Sequence, residues 1–310
     1  MDRLPNRVVR TTQEDADGLL HRFAHGLEIR TDKFLAADPR RVLALGTPQA
    51  TLMNYMLCWP ERIAGRLVFE PFSGSGAIAL TALRTGARRV ELLDVNPRAV
   101  RFARENAERN GFGAEQVMCI EGSIESFVPA QRYELMFANP PFVPTPDGIE
   151  GTLTSQAGSE GNLLVDVLLR RLELLLAPDG EAFVYLFQFV HEGRPLVVPS
   201  IERWVREREV ELTPTQQRPI AAEEYFEAYR QIFPGNHDAI RRWRTDLFER
   251  HGAALTLDHY VVHVGPQRQA PTRWTIEDNL ESKFGEGLRL SFAEDRQLAL
   301  GRVLENLVPS

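Results

Sequence analysis

The chain has 310 residues, is 43% hydrophobic and 25% charged, and carries a formal net charge of −7. This is ordinary globular composition, with no apolar run near the ~18 residues of a membrane span. The charged segment Met1 to Asp17 excludes a secretory leader, so a cytoplasmic location is expected. The acidic total weighs against nucleic acid as a partner, because phosphate contacts draw on basic surface.

In chain order, residues 12–27 predict an amphipathic helix, with Leu19, Leu20, Phe23 and Leu27 on one face. Thr47-Pro48 opens a second helix carrying Leu52, Tyr55, Met56 and Trp59. From Arg66 the pattern alternates. Strands are predicted at 67–69, 89–95, 116–121, 133–138 and 181–189, with helices at 76–85, 97–110 and 162–176 between them. Further strands are predicted at 208–212 and 259–264, and a last helix at 292–307.

The expected fold is α/β: a doubly wound, mostly parallel, seven-stranded Rossmann-like sheet. Its expected parts are a helical N-terminal segment (1–64), a core (65–216 and 258–266), a helical insertion capping substrate or partner (217–257) and a C-terminal tail (267–310). Cys58 and Cys119, the only cysteines, lie in apolar stretches and read as core thiols. His237, His251, His259 and His263 have no partners at ligand spacing, so no metal is expected.

Three stretches carry chemistry. Glu70-Pro71-Phe72-Ser73-Gly74-Ser75-Gly76 is a strand end, a glycine turn and a helix start; glycine lets such a turn approach a ligand closely. Asp94, at the end of the next strand, is placed to accept both ribose hydroxyls, in the crevice where open α/β sheets bind ligands. Gly74 to Ala79 with Asp94 also fits a dinucleotide fingerprint. Glu70 favours a ligand bearing an ammonium over a pyrophosphate. The third stretch, Asn139-Pro140-Pro141-Phe142, ends a buried strand. Its prolines remove two N–H donors. The Asn139 side-chain oxygen and the Pro140 carbonyl are thereby left to accept from one NH2 group, with Phe142 against the face of a flat acceptor.

Together these residues resemble the class I methyltransferases that modify amino nitrogens, most nearly the protein glutamine methyltransferases of release factors and the related small-domain enzymes, over about residues 45–190. The resemblance implies S-adenosyl-L-methionine as cofactor. It gives Glu70 to Gly76 as the first motif, Asp94 as the ribose acid and Val95 as the neighbour of adenine. Ser123 and Ile124 take the adenine-side positions, Ser123 replacing the usual Asp. Asn139 to Phe142 match the Asn-Pro-Pro-Tyr/Phe motif, with Asn139, Pro140 and Phe142 at the acceptor, and Gly158 to Gly161 match the segment that follows it.

The N-terminal segment is shorter than the recognition domain of the glutamine enzymes, and the C-terminal half has no counterpart in them. A small-molecule acceptor is therefore expected ahead of a protein glutamine. The other readings are a protein substrate, a fold repurposed for non-methylating chemistry or as a partner-dependent subunit, and, remotely, a nicotinamide oxidoreductase.

Overall fold

The computed structural model describes residues 7–33, 38, 40–149, 157–215, 219–286 and 288. The predicted helix at 292–307 lies outside them. The first departure from expectation is at the N-terminus. Residues 12–27 are no helix; the segment forms β1 (Arg10–Asp15), β2 (Gly18–Phe23) and β3 (Glu28–Thr31), a three-stranded antiparallel sheet. Ala16-Asp17 turn the first hairpin, with Asp15 paired to Gly18, and Gly18 has a φ of 131° with no room for a Cβ against the Thr31 carbonyl. The strand pairing overrides the helical spacing of the leucines.

The next elements are α1 (Thr47–Cys58), α2 (Pro60–Ile63), β4 (Leu67–Pro71), α3 (Ala77–Arg84), β5 (Arg89–Asp94), α4 (Pro97–Arg109), β6 (Val117–Glu121) and β7 (Tyr133–Ala138). The helix expected at 162–176 breaks into α5 (Leu163–Arg170) and α6 (Leu172–Leu175). Then come β8 (Leu176–His191), β9 (Arg194–Pro195), α7 (Val198–Trp204), β10 (Arg208–Pro214), β11 (Ile220–Ala221), α8 (Ala222–Ile232), α9 (His237–His251), β12 (Leu255–Gln267), β13 (Arg273–Ile276) and α10 (Leu280–Phe284).

The main sheet runs β13-β10-β12-β8-β7-β4-β5-β6, with β9 and β11 paired at its margins. All seven expected strands are present, so the α/β doubly wound core stands. The expected count of seven is corrected to ten among the described residues, because β9, β11 and β13 are too short to show a pattern. Strands β4 to β8 are mutually parallel, and β12 runs antiparallel between β8 and β10. One face packs under α1, α3 and α10, through Tyr55, Ile78, Phe137, Phe183 and Phe284. The other packs under α5, α6 and α7. Parallel strands covered on both faces read as continuous apolar runs, which is why this region was readable.

The N-terminal sheet is fastened to the core by two asparagines one turn apart on α4. Asn106 accepts from the Arg30 N–H at 2.8 Å and donates to the Arg30 and Ser75 carbonyls; Asn110 does the same for Glu28. Their amides replace the missing neighbour strand along the edge of β3. Asn106 is fully buried, so Asn106→Ala leaves the Ser75 and Arg30 groups without partners. Chemical denaturation is expected to show a loss of about 2 kcal/mol, the cost of unsatisfied buried polar groups.

No helix among the described residues is long and apolar enough to cross a membrane. Cys58 and Cys119 are half-buried, lying less deep than expected, and burial raises both thiols.

Candidate active site

A cleft opens at the carboxyl ends of β4, β5 and β7, on the face covered by α1 and α3. Glu70, Phe72, Gly74, Ser75, Asp94, Val95, Ser123, Ile124 and Asn139 all line it. Of the remaining expected residues, Pro71 ends β4 and Gly76 caps α3 behind the turn. Pro140 and Phe142 are not in the lining, which takes Pro141 instead.

The turn is held by backbone geometry. Gly76 has a φ of 78°, and a Cβ there would lie 2.8 Å from Leu92 and 3.2 Å from Ala103. Any side chain would push the turn off α4. Phe72, at φ 62°, occupies a left-handed conformation that costs a non-glycine residue energy; such strain collects at binding sites. The Asp94 carboxylate joins two turns. It accepts from the Gly74 N–H at 2.8 Å and from the Asn96 N–H at 2.9 Å. Asn96, not Asp94, caps α4 by accepting from the Arg98 N–H. Asp94 is therefore free of the capping role, and its outward lone pairs face the cleft.

Glu70 is 2% exposed. One carboxyl oxygen accepts from the Ala79 N–H at 2.8 Å. Burial pushes its pKa well above the carboxylate range, the Ala79 N–H pulls it back in part, and nearby Asp94 raises it further. Asp94 is raised by burial too, against the pull of its backbone N–H partners. A buried acid, Glu70, beside a half-buried one, Asp94, neither of them pulled down by a cation among the described residues, forms a place for a positive group and hydroxyl donors. The Asn139 Oδ1 and Ser73 Oγ atoms are buried without hydrogen-bond partners among the described residues. Buried polar atoms in folded proteins are otherwise paired. The donor set thus fits a nucleoside bearing an ammonium.

Sequence reasoning missed the roof of the cleft. Arg41, Val42, Leu43 and Leu45 line it from the segment between β3 and α1, and Gln49 from the first turn of α1. Gln49 is fixed at the start of α1 by accepting from the Gly46 N–H at 3.0 Å. The short apolar run 42–45 was the available signal, and it carried no periodicity.

Within the stretch expected as an insertion, residues 219–257 hold β11, α8, α9 and the start of β12. Tyr225 and Tyr229 both donate to the Pro144 carbonyl, at 2.9 and 2.8 Å. Trp243 donates to the Ser159 carbonyl at 2.9 Å, and Arg250 and His251 pair with Glu160. Tyr225, Phe226, Tyr229 and Trp243 are core residues, so the insertion grips the chain on either side of 150–156. Phenylalanine at both Tyr225 and Tyr229 leaves the Pro144 carbonyl buried and unpaired. A melting curve is expected to show a loss of about 1–2 kcal/mol, with weaker acceptor binding and unchanged cofactor affinity.

Residues 60–156 match the model of the methyltransferase small domain. A ribosomal protein L11 methyltransferase of Pseudomonas putida is 28% identical over 172 residues, 56% of this chain and 54% of that one. Over this stretch the core is similar to the class I S-adenosylmethionine-dependent methyltransferases. Its cofactor is S-adenosyl-L-methionine. The corresponding protein of Pelotomaculum thermopropionicum is 35% identical over 108 residues, 35% of this chain and 34% of that one. The chain spans about half the length of the P. putida relative it matches.

Similar solved structures include the ribosomal protein L11 methylase of Lactobacillus delbrueckii subsp. bulgaricus (22% identity, TM-score 0.39, covering 57% of this chain and 72% of that one). Another is the T. thermophilus 16S rRNA N2 G1207 methyltransferase (13% identity, TM-score 0.45, covering 85% of this chain and 52% of that one).

Two expectations are corrected. These relatives are named for ribosomal protein L11, so the expected likeness to the glutamine enzymes is corrected, while that to the small-domain enzymes holds over residues 60–156. The expectation of a small-molecule partner is corrected as well, since these relatives are named for a macromolecule, ribosomal protein L11.

Proposed function

We propose that this protein transfers a methyl group to an amino or amide nitrogen of a protein. The observation that carries the reading is the unpartnered, buried Oδ1 of Asn139 in the same cleft as Glu70 and Asp94. Bound there, S-adenosylmethionine supplies an electrophilic methyl group on its sulfonium. Asp94 would hold the ribose hydroxyls and Glu70 the ammonium. Val95, 54% exposed on the cleft wall, and Ile124 would flank the adenine, with Ser123 at its edge. Pro71, Phe72, Gly74, Ser75 and Gly76 shape the turn under the methionine end.

Asn139 and the Pro140 carbonyl would accept the two N–H groups of the acceptor and aim its lone pair at the methyl. Such hydrogen bonds strengthen as positive charge grows on nitrogen. Holding both partners at attack distance is the larger part of the task. Phe142 would pack beside the acceptor. The protein acceptor is supported by the names of the relatives.

The test uses tritiated methyl donor with bacterial ribosomes and with size-fractionated cell extract. Label that is lost on protease digestion and kept on ribonuclease digestion is expected. Label in RNA alone, label in small molecules alone, or no label would overturn the reading.

A further inference from the structure

The roof of the cleft hangs from the start of α4, the same turn that carries Asp94. Asp94 ends β5, and α4 begins at Pro97. Between them Asn96, 2% exposed, makes bonds in three directions. Its N–H donates to the Asp94 carboxylate at 2.9 Å, and its Oδ1 accepts from the Arg98 N–H at 3.0 Å. Its Nδ2 donates to the Arg40 carbonyl at 2.8 Å. The first two bonds belong to the turn and the helix cap. The third reaches the roof.

A second tie lies beside it. The Arg98 guanidinium donates to the Asp32 carboxylate through Nε at 2.8 Å and through Nη2. Asp32 is buried and passes the hold to Val42. Its carboxylate accepts from the Val42 N–H at 2.8 Å, and its own N–H donates to the Val42 carbonyl at 3.1 Å. Val42 packs with Ala99 and Phe102 of α4. The roof is thus fastened on both sides of Arg41, and Arg41, Val42 and Leu43 line the cleft with Asp94, Val95 and Asn96.

Neither tie is needed to form the turn or the helix. Serine caps a helix as well as asparagine does. Arg40 is exposed, so water can take its carbonyl. A buried ion pair adds little net stability over apolar packing; what it fixes is position. Resting on the reading of this cleft as the cofactor site, we propose that Asn96 and Arg98 are positioning residues for the cofactor. They hold residues 40–43 over the nucleoside whose ribose Asp94 takes. Asp94 and the roof are set by one helix start, so the cofactor is gripped from two sides and its release is slowed by both ties. The N-terminal sheet, which leads directly into Asp32, is then part of the cofactor site.

The test is the dissociation rate of adenosylhomocysteine from the full-length chain, measured by surface plasmon resonance. Asn96→Ser keeps the cap of α4 and removes the Arg40 tie. It is expected to speed dissociation about fivefold, the scale of one hydrogen bond, with the ligand-free melting temperature within about 2 °C of wild type. Hydrogen exchange is expected to show the Arg41 to Leu45 amides protected by adenosylhomocysteine in wild type and less protected in the variant. Arg98→Lys keeps a cation by Asp32 and loses the forked grip. It is expected to speed dissociation by a similar factor, and it replaces Asn96→Ser should that fail to fold.

An unchanged rate, or roof amides that the ligand leaves unprotected, overturns the proposal and leaves the cofactor cleft standing. Faster dissociation together with a lower ligand-free melting temperature assigns Asn96 to the fold alone and overturns it too. A wild-type chain that binds no adenosylhomocysteine sinks the reading of the cleft, and this proposal with it.

Discussion

Asn139→Ala is expected to lower turnover by about two to three orders of magnitude, the range found when one preorganised polar contact to a transition state is removed. Cofactor affinity should change less than threefold. The asymmetry follows from what the Oδ1 atom touches. It makes no hydrogen bond within the described protein, so truncation breaks nothing that holds β7 in place. Stability should hold or rise slightly, because a desolvated oxygen is removed. The lost acceptor matters only when an N–H group stands opposite it and nitrogen gains charge. Single-turnover rates with tritiated donor give the first quantity, and calorimetry with adenosylhomocysteine gives the second. Equal losses in rate and affinity would show that Asn139 serves the cofactor rather than the acceptor.

The contrast between what could and could not be read along the chain has a physical cause. Leu67 to Phe69 and Leu135 to Ala138 are buried on both faces, so their sequences are apolar throughout and bounded by turns. Gly74 and Gly76 were legible because left-handed backbone demands glycine at Gly76, whatever the rest of the chain does. Of the nine expected residues that line the cleft, Glu70, Phe72, Gly74, Ser75, Asp94 and Asn139 were legible from local motifs, and Val95, Ser123 and Ile124 only through the family resemblance.

Residues 12–27 misled because helical spacing of Leu19, Leu20 and Phe23 also suits β2, where five of the six residues are buried or half-buried. Their neighbours in space, Asn106 and Asn110, lie some eighty positions away, and nothing local announces them. Arg41 to Gln49 roof the cleft through contacts that exist only once β3 and α1 are placed. The tyrosines of α8 show a helical face, but only the fold reveals that the face meets Pro144.

Glu70→Gln is expected to weaken adenosylhomocysteine binding about 100-fold, or about 2.7 kcal/mol, within the range for truncating one partner of a buried charge pair. The same change should leave the ligand-free protein as stable as wild type or more so. Glutamine fills the space and its carbonyl can take the Ala79 N–H. What disappears is the ionisable group whose pKa burial and Asp94 raise.

The sign of the pH dependence follows. A carboxyl with a raised folded-state pKa contributes stability fully below its unfolded pKa, roughly 4.3. That contribution is lost as pH rises through the folded value. A ligand ammonium needs the ionised form, so wild-type affinity should climb as pH rises through that same value and then level. The variant should show no such climb. Titration calorimetry across the range, with differential scanning of the ligand-free protein, measures both. A variant that is as pH-dependent as wild type, or that loses ligand-free stability along with affinity, would move Glu70 from ligand binding to support of the α3 turn.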